Sequence, residues 1–141
     1  MDLGLNSKNA IITGGSDGIG LAAAISLSKE GANVAILART QEKLDNAVKE
    51  IQKNAKGKVL AISTDVRDES SVINSINKVR DEFGKIDILV NNAGTSSASP
   101  LESLTNEALT EDLSLKVYGA IFCARAVIED MKDSGSGSII N

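Results

Sequence analysis

The sequence predicts an α/β fold in which helices flank a doubly wound parallel sheet. Three observations lead to this class. Short aliphatic runs alternate with longer amphipathic segments along the chain. Each run is nearly all apolar and does not alternate with polar residues, which suits parallel strands covered on both faces. A glycine-rich turn joins the first run to the first helical segment, and the resulting β-α-β order with right-handed crossovers predicts an open sheet.

Five aliphatic runs are the predicted strands. They are Asn9–Thr13, Asn33–Ala38, Val59–Ser63, Asp87–Asn91 and Gly137–Asn141. In a sheet of this class, ligands bind at the carboxyl ends of the strands, across the point where the strand order reverses. The residues that follow each strand are therefore the candidates for function.

The segments between the strands have the periodicity of amphipathic helices. The first, Leu21–Leu27, follows the glycine turn, and the next two begin after possible N-caps at Thr40 and Asp68. A long helix is predicted over Asn106–Met131. The apolar residues on one side of it are Leu113, Val117, Ala120, Ala124 and Val127.

The composition predicts one soluble domain over residues 1–141 and argues against several classes of site. The chain has no histidine, so the usual zinc ligand and general base are absent. Its one cysteine, Cys123, is expected to be buried, and it can form neither an internal disulfide nor a thiolate metal site. We therefore expect no metal and a cytoplasmic protein. A net charge of −4 without a basic run, and no membrane-length apolar stretch, argue against nucleic-acid and membrane partners.

The turn after the first strand predicts a phosphate-binding site. It runs from Thr13 to Gly20 and reads TGGSDGIG. A strand, a glycine turn and a helix N-terminus in this order bring unpaired N–H groups and the positive end of the helix dipole to one place. The alternative is a glycine-rich turn that binds no ligand. The predicted phosphate-binding residues are Gly14, Gly15, Ser16, Asp17, Gly18, Ile19 and Gly20.

The end of the second strand predicts which ribose a dinucleotide site would accept. Ala38 stands where a carboxylate would bond the ribose hydroxyls, and the guanidinium of its neighbour Arg39 can pair with a 2′-phosphate. Thr40, which follows Arg39, belongs to the same predicted site. The negative charge of Asp17 would weaken the preference for a 2′-phosphate. The alternative is that Arg39 is an ordinary surface arginine.

Polar and small residues also follow the third and fourth strands. Asp65 can accept a hydrogen bond from an adenine amino group while Val66 packs on the ring. The alternative is that Asp65 caps the next helix. Asn92, Ala93 and Gly94 allow the backbone to approach a sugar closely, although an ordinary Asn-Gly turn would have the same composition.

Together these motifs resemble the short-chain dehydrogenase/reductase family over essentially the whole chain. The glycine turn matches the family's pyrophosphate-binding TGxxxGIG motif, and Asp65-Val66 matches its adenine-contacting pair. Asn91–Gly94 matches its NNAG motif, and Arg39 matches the residue that marks NADP-preferring members. The resemblance implies a Rossmann-like fold and NADP as the cofactor, with NAD less favoured. It also implies a small alcohol or carbonyl substrate and a homo-oligomer, either a dimer or a tetramer.

The chain departs from the family pattern on its long helix. Lys116 stands where the family usually places an Asn that holds a water of the proton relay. We predict that Lys116 lies on the apolar side of the helix, beside Leu113 and Val117. Two interpretations of Lys116 remain. It is either a cation that points into the cleft, or a lysine whose stem lies along the helix edge while its ammonium reaches solvent.

The second departure concerns the catalytic residues. In the family, the catalytic Ser and a Tyr-x-x-x-Lys motif follow the fifth strand, so the resemblance implies that the C-terminal part of the fold lies outside these residues. Tyr118, the only tyrosine, is followed at the fourth position by Phe122 and does not match the motif. We therefore assign no catalytic residue here, and we expect the segment alone to bind NADP(H) weakly and to reduce nothing.

Two hypotheses for the function remain, and they belong to different classes of protein. The first is an NADP(H)-dependent oxidoreductase that acts on an alcohol or carbonyl substrate. The alternative is a non-catalytic dinucleotide-binding or regulatory module. A Ser and a Tyr-x-x-x-Lys motif shortly after Asn141 would favour the enzyme.

Overall fold

A computed structural model describes residues 2–95 and 99–141. Within them, five parallel strands form one sheet in the order β3-β2-β1-β4-β5. The strands are β1 (Asn9–Thr13), β2 (Asn33–Ala38), β3 (Val59–Ser63), β4 (Ile88–Val90) and β5 (Ser138–Ile140). Along the chain, β2 and then β3 are added on one side of β1. The chain then crosses to the other side of β1, where β4 and then β5 are added. The predicted doubly wound parallel sheet is therefore confirmed.

The strand bounds follow the prediction closely, and burial varies across the sheet. The first three strands have the predicted bounds, whereas β4 and β5 are shorter than predicted, at three residues each. The central strands β1 and β2 are buried almost throughout, while β3 is partly exposed and β5 is exposed. Coverage on both faces therefore applies to the centre of the sheet and not to its two edges.

The described helices lie on both faces of the sheet. They are α1 (Gly18–Lys29), α2 (Gln41–Gln52), α3 (Glu69–Phe83), α4 (Asn106–Leu113) and α5 (Gly119–Ser134). Successive residues of a strand point to opposite faces, so Ile11 belongs to the core on the α3 and α5 side and Ile12 to the core on the α1 and α2 side. A buried aliphatic side chain of this size contributes about 1.5–3 kcal/mol. The two cores together hold the strand ends in place.

The helix predicted over Asn106–Met131 is interrupted. Between α4 and α5, Ser114–Tyr118 form a π-helical turn, so the predicted segment is helical along its length but is not one continuous α-helix. A π turn holds more residues than an α turn and rotates the helix face that follows it. Of the apolar side predicted for this helix, Val127 is buried, whereas Leu113 and Val117 are exposed. The buried residues of the segment are Leu115, Gly119, Cys123, Val127 and Met131.

The predicted burial of Cys123 is confirmed. Its side chain lies in the core on the α3 and α5 side and is fully buried. Burial disfavours the charged thiolate and raises the pKa of the thiol to about 12. Cys123 is therefore a packing residue.

The two predicted N-caps differ in their side-chain contacts. The Asp68 carboxylate accepts a hydrogen bond from the backbone N–H of Ser70, as a capping residue does. Thr40 holds the N-cap position of α2, but its side chain makes no capping hydrogen bond. Thr40 therefore occupies the expected cap position with its backbone alone. In the part of the chain that the structure describes, each helix is too short or too polar to cross a bilayer.

Candidate functional site

A cleft of about 460 Å³ opens at the carboxyl ends of the central strands. It lies where the strand order reverses, between β1 and β4. Twelve of the fourteen residues predicted for cofactor binding line it: Gly14, Ser16, Asp17, Gly18, Ile19, Arg39, Thr40, Asp65, Val66, Asn92, Ala93 and Gly94. The cleft is also lined by Leu37, Ala38, Lys43, Thr64, Thr95 and Leu115. The fold thus brings four separate sequence motifs to one surface.

The N-terminus of α1 presents free hydrogen-bond donors to this cleft. The first intrahelical bond runs from Leu21 N to Asp17 O, at 3.1 Å. Within the described part of the chain, the N–H groups of Gly18, Ile19 and Gly20 make no hydrogen bond. Asp17 holds the N-cap position, yet its side chain does not cap the helix. Free N–H groups at the positive end of a helix dipole are suited to bind an anion.

Two predicted glycines pack the turn and do not line the cleft. A Cβ on Gly20 would lie 2.3 Å from Gly14 O and 2.4 Å from Asn92 Nδ2. A Cβ on Gly15 would lie 2.6 Å from a side-chain carbon of Ile36. All three distances are shorter than van der Waals contact allows, so Gly15 and Gly20 permit the close approach of the turn to β2 and of α1 to the end of β4.

A hydrogen-bond network joins the end of β1 to the end of β4. The buried Thr13 Oγ1 accepts from the backbone N–H groups of Asn92 and Ala93, each at 3.0 Å. The Asn92 side chain returns two bonds, from Nδ2 to Thr13 O and to Gly14 O, each at 3.1 Å. Thr13 was not among the predicted site residues, although a hydroxyl at the end of a buried strand was a signal for this role. The network fixes the glycine turn relative to the Asn92–Gly94 segment.

Charged groups line the end of the cleft near β2 and β3. Arg67, which was not among the predicted site residues, donates to both carboxylate oxygens of Asp65, with Nε–Oδ1 at 2.9 Å and Nη2–Oδ2 at 2.7 Å. These hydrogen bonds, helped by the charge of Arg39, hold the pKa of Asp65 below its ordinary value of 3.8. Arg67 also pairs with Glu111 of α4 at 2.5 Å. Asp65 is therefore an ion-pair partner of Arg67 and does not cap α3.

Lys116 lies at the rim of the cleft, in the π-helical turn. Its Cε is 3.5 Å and its Cγ 3.8 Å from the position that a Cβ on Gly94 would take. The residue is exposed, and in the described ranges no carboxylate lies within ion-pair distance of it. The apolar side on which Lys116 was predicted is open to solvent here, since Leu113 and Val117 are exposed as well. The lysine stem instead covers Gly94.

Comparisons with known proteins match nearly the whole chain. The family model for short chain dehydrogenases matches residues 8–141. The 3-ketodihydrosphingosine reductase of Mus musculus is 39% identical over 142 residues, which cover 98% of this chain and 43% of that protein. The gluconate 5-dehydrogenase of Gluconobacter oxydans is 36% identical, over 97% of this chain and 53% of that protein. The chain therefore spans about half the length of these relatives.

Solved structures agree with these sequence matches. The L-sorbose reductase of Gluconobacter frateurii, complexed with NADPH and L-sorbose, superposes with a TM-score of 0.92 at 37% identity, covering 99% of this chain and 53% of that one. A NAD⁺-bound xylitol dehydrogenase superposes with a TM-score of 0.90 at 32% identity, covering 96% and 52%. Both nicotinamide dinucleotides thus occur among the structural neighbours.

Proposed function

Because the chain belongs to the short-chain dehydrogenase family, we propose that the protein is an NADP(H)-dependent oxidoreductase acting on an alcohol or carbonyl substrate. The observation that supports this most is the cleft at the strand-order reversal. This cleft combines free N–H donors at the N-terminus of α1 with Arg39 at the end of β2. No carboxylate directly follows β2. This arrangement suits a ligand with a pyrophosphate and a second, separate phosphate.

Each part of the dinucleotide has a proposed partner in the cleft. The pyrophosphate would be held by the turn from Gly14 to Gly20, and the adenine by Asp65 and Val66. Asn92–Gly94 would line the sugar next to the nicotinamide. When bound, the nicotinamide supplies or accepts the hydride. The residues of this chain bind and orient that group, and the Thr13–Asn92 network keeps the two sides of its site at a fixed separation.

Proton transfer to the substrate is proposed to come from residues other than those described. Tyr118 is half exposed, and Phe122 occupies the fourth position after it. Lys116 at the rim is a single exposed ammonium. Neither supplies an acid and an oxyanion stabiliser together.

The proposed activity predicts that the full-length protein consumes NADPH in the presence of a suitable ketone or aldehyde. The measurement is the loss of absorbance at 340 nm with a panel of carbonyl compounds, and the formation of NADPH from NADP⁺ with the corresponding alcohols. Binding of NADP(H) without turnover of any compound would contradict the enzyme and favour the non-catalytic dinucleotide-binding module.

Arg39→Ala tests the choice of cofactor. If the guanidinium pairs with the 2′-phosphate, the substitution weakens NADP(H) binding by about 1–3 kcal/mol, the range for a hydrogen bond to a charged group. NAD(H) binding changes little, because NAD(H) has no 2′-phosphate. Calorimetric titration of both cofactors measures the two losses. Lys49→Ala, an exposed cation on α2 that does not line the cleft, serves as the control, and equal losses for NADP(H) and NAD(H) would contradict the NADP assignment.

We also propose that the protein is a homo-oligomer in the cytoplasm. Exposed apolar residues along α4, the π-helical turn and α5 support the association: Leu109, Leu113, Val117, Tyr118 and Ile121. An apolar surface of this kind is typical of a protein contact. The lack of a possible internal disulfide fits a reducing compartment.

A further inference from the structure

The Asp17 side chain lies in an unexpected place for a residue at a helix N-terminus. Aspartate is among the favoured N-cap residues, because its carboxylate accepts hydrogen bonds from the N–H groups of the first turn. The backbone of Asp17 has the extended conformation of an N-cap, with φ −157° and ψ 179°. Its carboxylate nevertheless makes no capping hydrogen bond with α1. Something outside the helix therefore determines where this carboxylate lies.

Lys43, in the first turn of α2, is the partner of that carboxylate. Its Nζ lies 2.9 Å from Asp17 Oδ2, and both residues line the cleft. The two side chains are 60% and 69% exposed. An ion pair between such exposed groups adds little to folding stability. Its main effect is on which of two positions the Asp17 carboxylate occupies.

Those two positions differ in their consequence for an anion at α1. With the carboxylate on Lys43, the N–H groups of Gly18, Ile19 and Gly20 stay free. With the carboxylate on the helix, it would accept from these donors and repel a pyrophosphate. We propose that Lys43 is a positioning residue that holds the Asp17 carboxylate away from the anion-binding end of α1. This inference rests on the proposed binding of a dinucleotide in the cleft.

A direct role for Lys43 would have a different signature. If Lys43 bound the 2′-phosphate itself, its loss would weaken only NADP⁺. A positioning role acts through the pyrophosphate, which NAD⁺, NADP⁺ and ADP-ribose share, so all three weaken together. In a variant that lacks Lys43, removal of the Asp17 carboxylate as well then restores binding. The reason is that no carboxylate remains that could occupy the N–H groups of α1.

The experiment is a calorimetric titration of the full-length protein with NAD⁺, NADP⁺ and ADP-ribose. Lys43→Gln is expected to raise all three dissociation constants by about threefold, which is what an ion pair this exposed can contribute. The double variant Lys43→Gln with Asp17→Ala returns each constant to within about twofold of the Asp17→Ala value. Lys43→Arg keeps the ion pair and the affinity. Lys49→Gln removes the same charge from the same helix and leaves all constants unchanged.

The possible outcomes separate this inference from the proposed function. A loss confined to NADP⁺, or a loss of all three ligands that Asp17→Ala does not relieve, overturns the positioning role and leaves the proposed function standing. Unchanged affinities in Lys43→Gln overturn it too. Failure of the unaltered protein to bind any dinucleotide overturns both. Thermal unfolding of each variant checks that the fold is intact, as expected for a pair this exposed.

Discussion

Gly20→Ala is expected to destabilise the protein and to abolish dinucleotide binding. The new methyl group would lie 2.3 Å from Gly14 O and 2.4 Å from Asn92 Nδ2. The first of these is a backbone atom, and the second belongs to a side chain held by two hydrogen bonds, so neither can move cheaply. We expect a loss of about 3 kcal/mol, the upper part of the usual range for overpacking, measured as a lower urea midpoint with an unchanged slope.

Gly18→Ala is the matched control for that experiment. No atom of the described residues lies within 4 Å of a Cβ on Gly18, so the cost of the substitution is limited to the left-handed backbone of this residue, with φ +55°. That cost is about 1–2 kcal/mol. Equal urea midpoints for the two variants would contradict the steric account of Gly20.

Thr13→Val is expected to have the second-largest effect. The substitution keeps the shape of the side chain but removes the hydroxyl that accepts from the N–H groups of Asn92 and Ala93. An unsatisfied buried donor costs about 1–3 kcal/mol. The Asn92 N–H keeps a second acceptor, Val90 O at 3.1 Å, so the expected loss is about 2 kcal/mol and comes from the half-buried Ala93 N–H. The Asn92–Gly94 segment should also lose its fixed position, and cofactor affinity should fall. Urea unfolding and cofactor titration measure the two effects.

Thr13→Ser distinguishes the hydroxyl from the methyl group. Serine keeps the acceptor and loses only one methyl, so its expected cost is about 1 kcal/mol. If serine were as destabilising as valine, the packing of the methyl group would matter more than the hydrogen bonds.

Much of the candidate site could be predicted because each motif directly follows a strand. In a parallel sheet the carboxyl ends of the strands lie at one edge, so the glycine turn, Arg39, Asp65 and Asn92 had to be close together once the strands were identified. The first three strands could be located to the residue because their aliphatic runs are bounded by polar and glycine residues. The shortening of β4 and β5 to three residues each was not predictable in this way.

The helix after β4 shows where periodicity alone fails. A regular 3.6-residue pattern groups Leu113 and Val117 with Val127 on one side of the helix. In the structure Val127 is buried, Leu113 and Val117 are exposed, and Leu115 in the π-helical turn is buried although the pattern leaves it out. The choice between an α turn and a π turn depends on which face packs against α3 and the sheet. No local sequence pattern in residues 106–131 indicates which of the two turns forms.

The sequence by itself determined the fold class, the family and the positions of four motifs, because these depend on local runs and on the general geometry of parallel strands. Only the tertiary structure decided which charged groups meet. Lys43 pairs with Asp17 from 26 residues away, and Arg67 joins Asp65 to Glu111 across 44 residues. Such contacts depend on the distance and rotation between helices that are set by core packing. A linear pattern of charges does not contain that information.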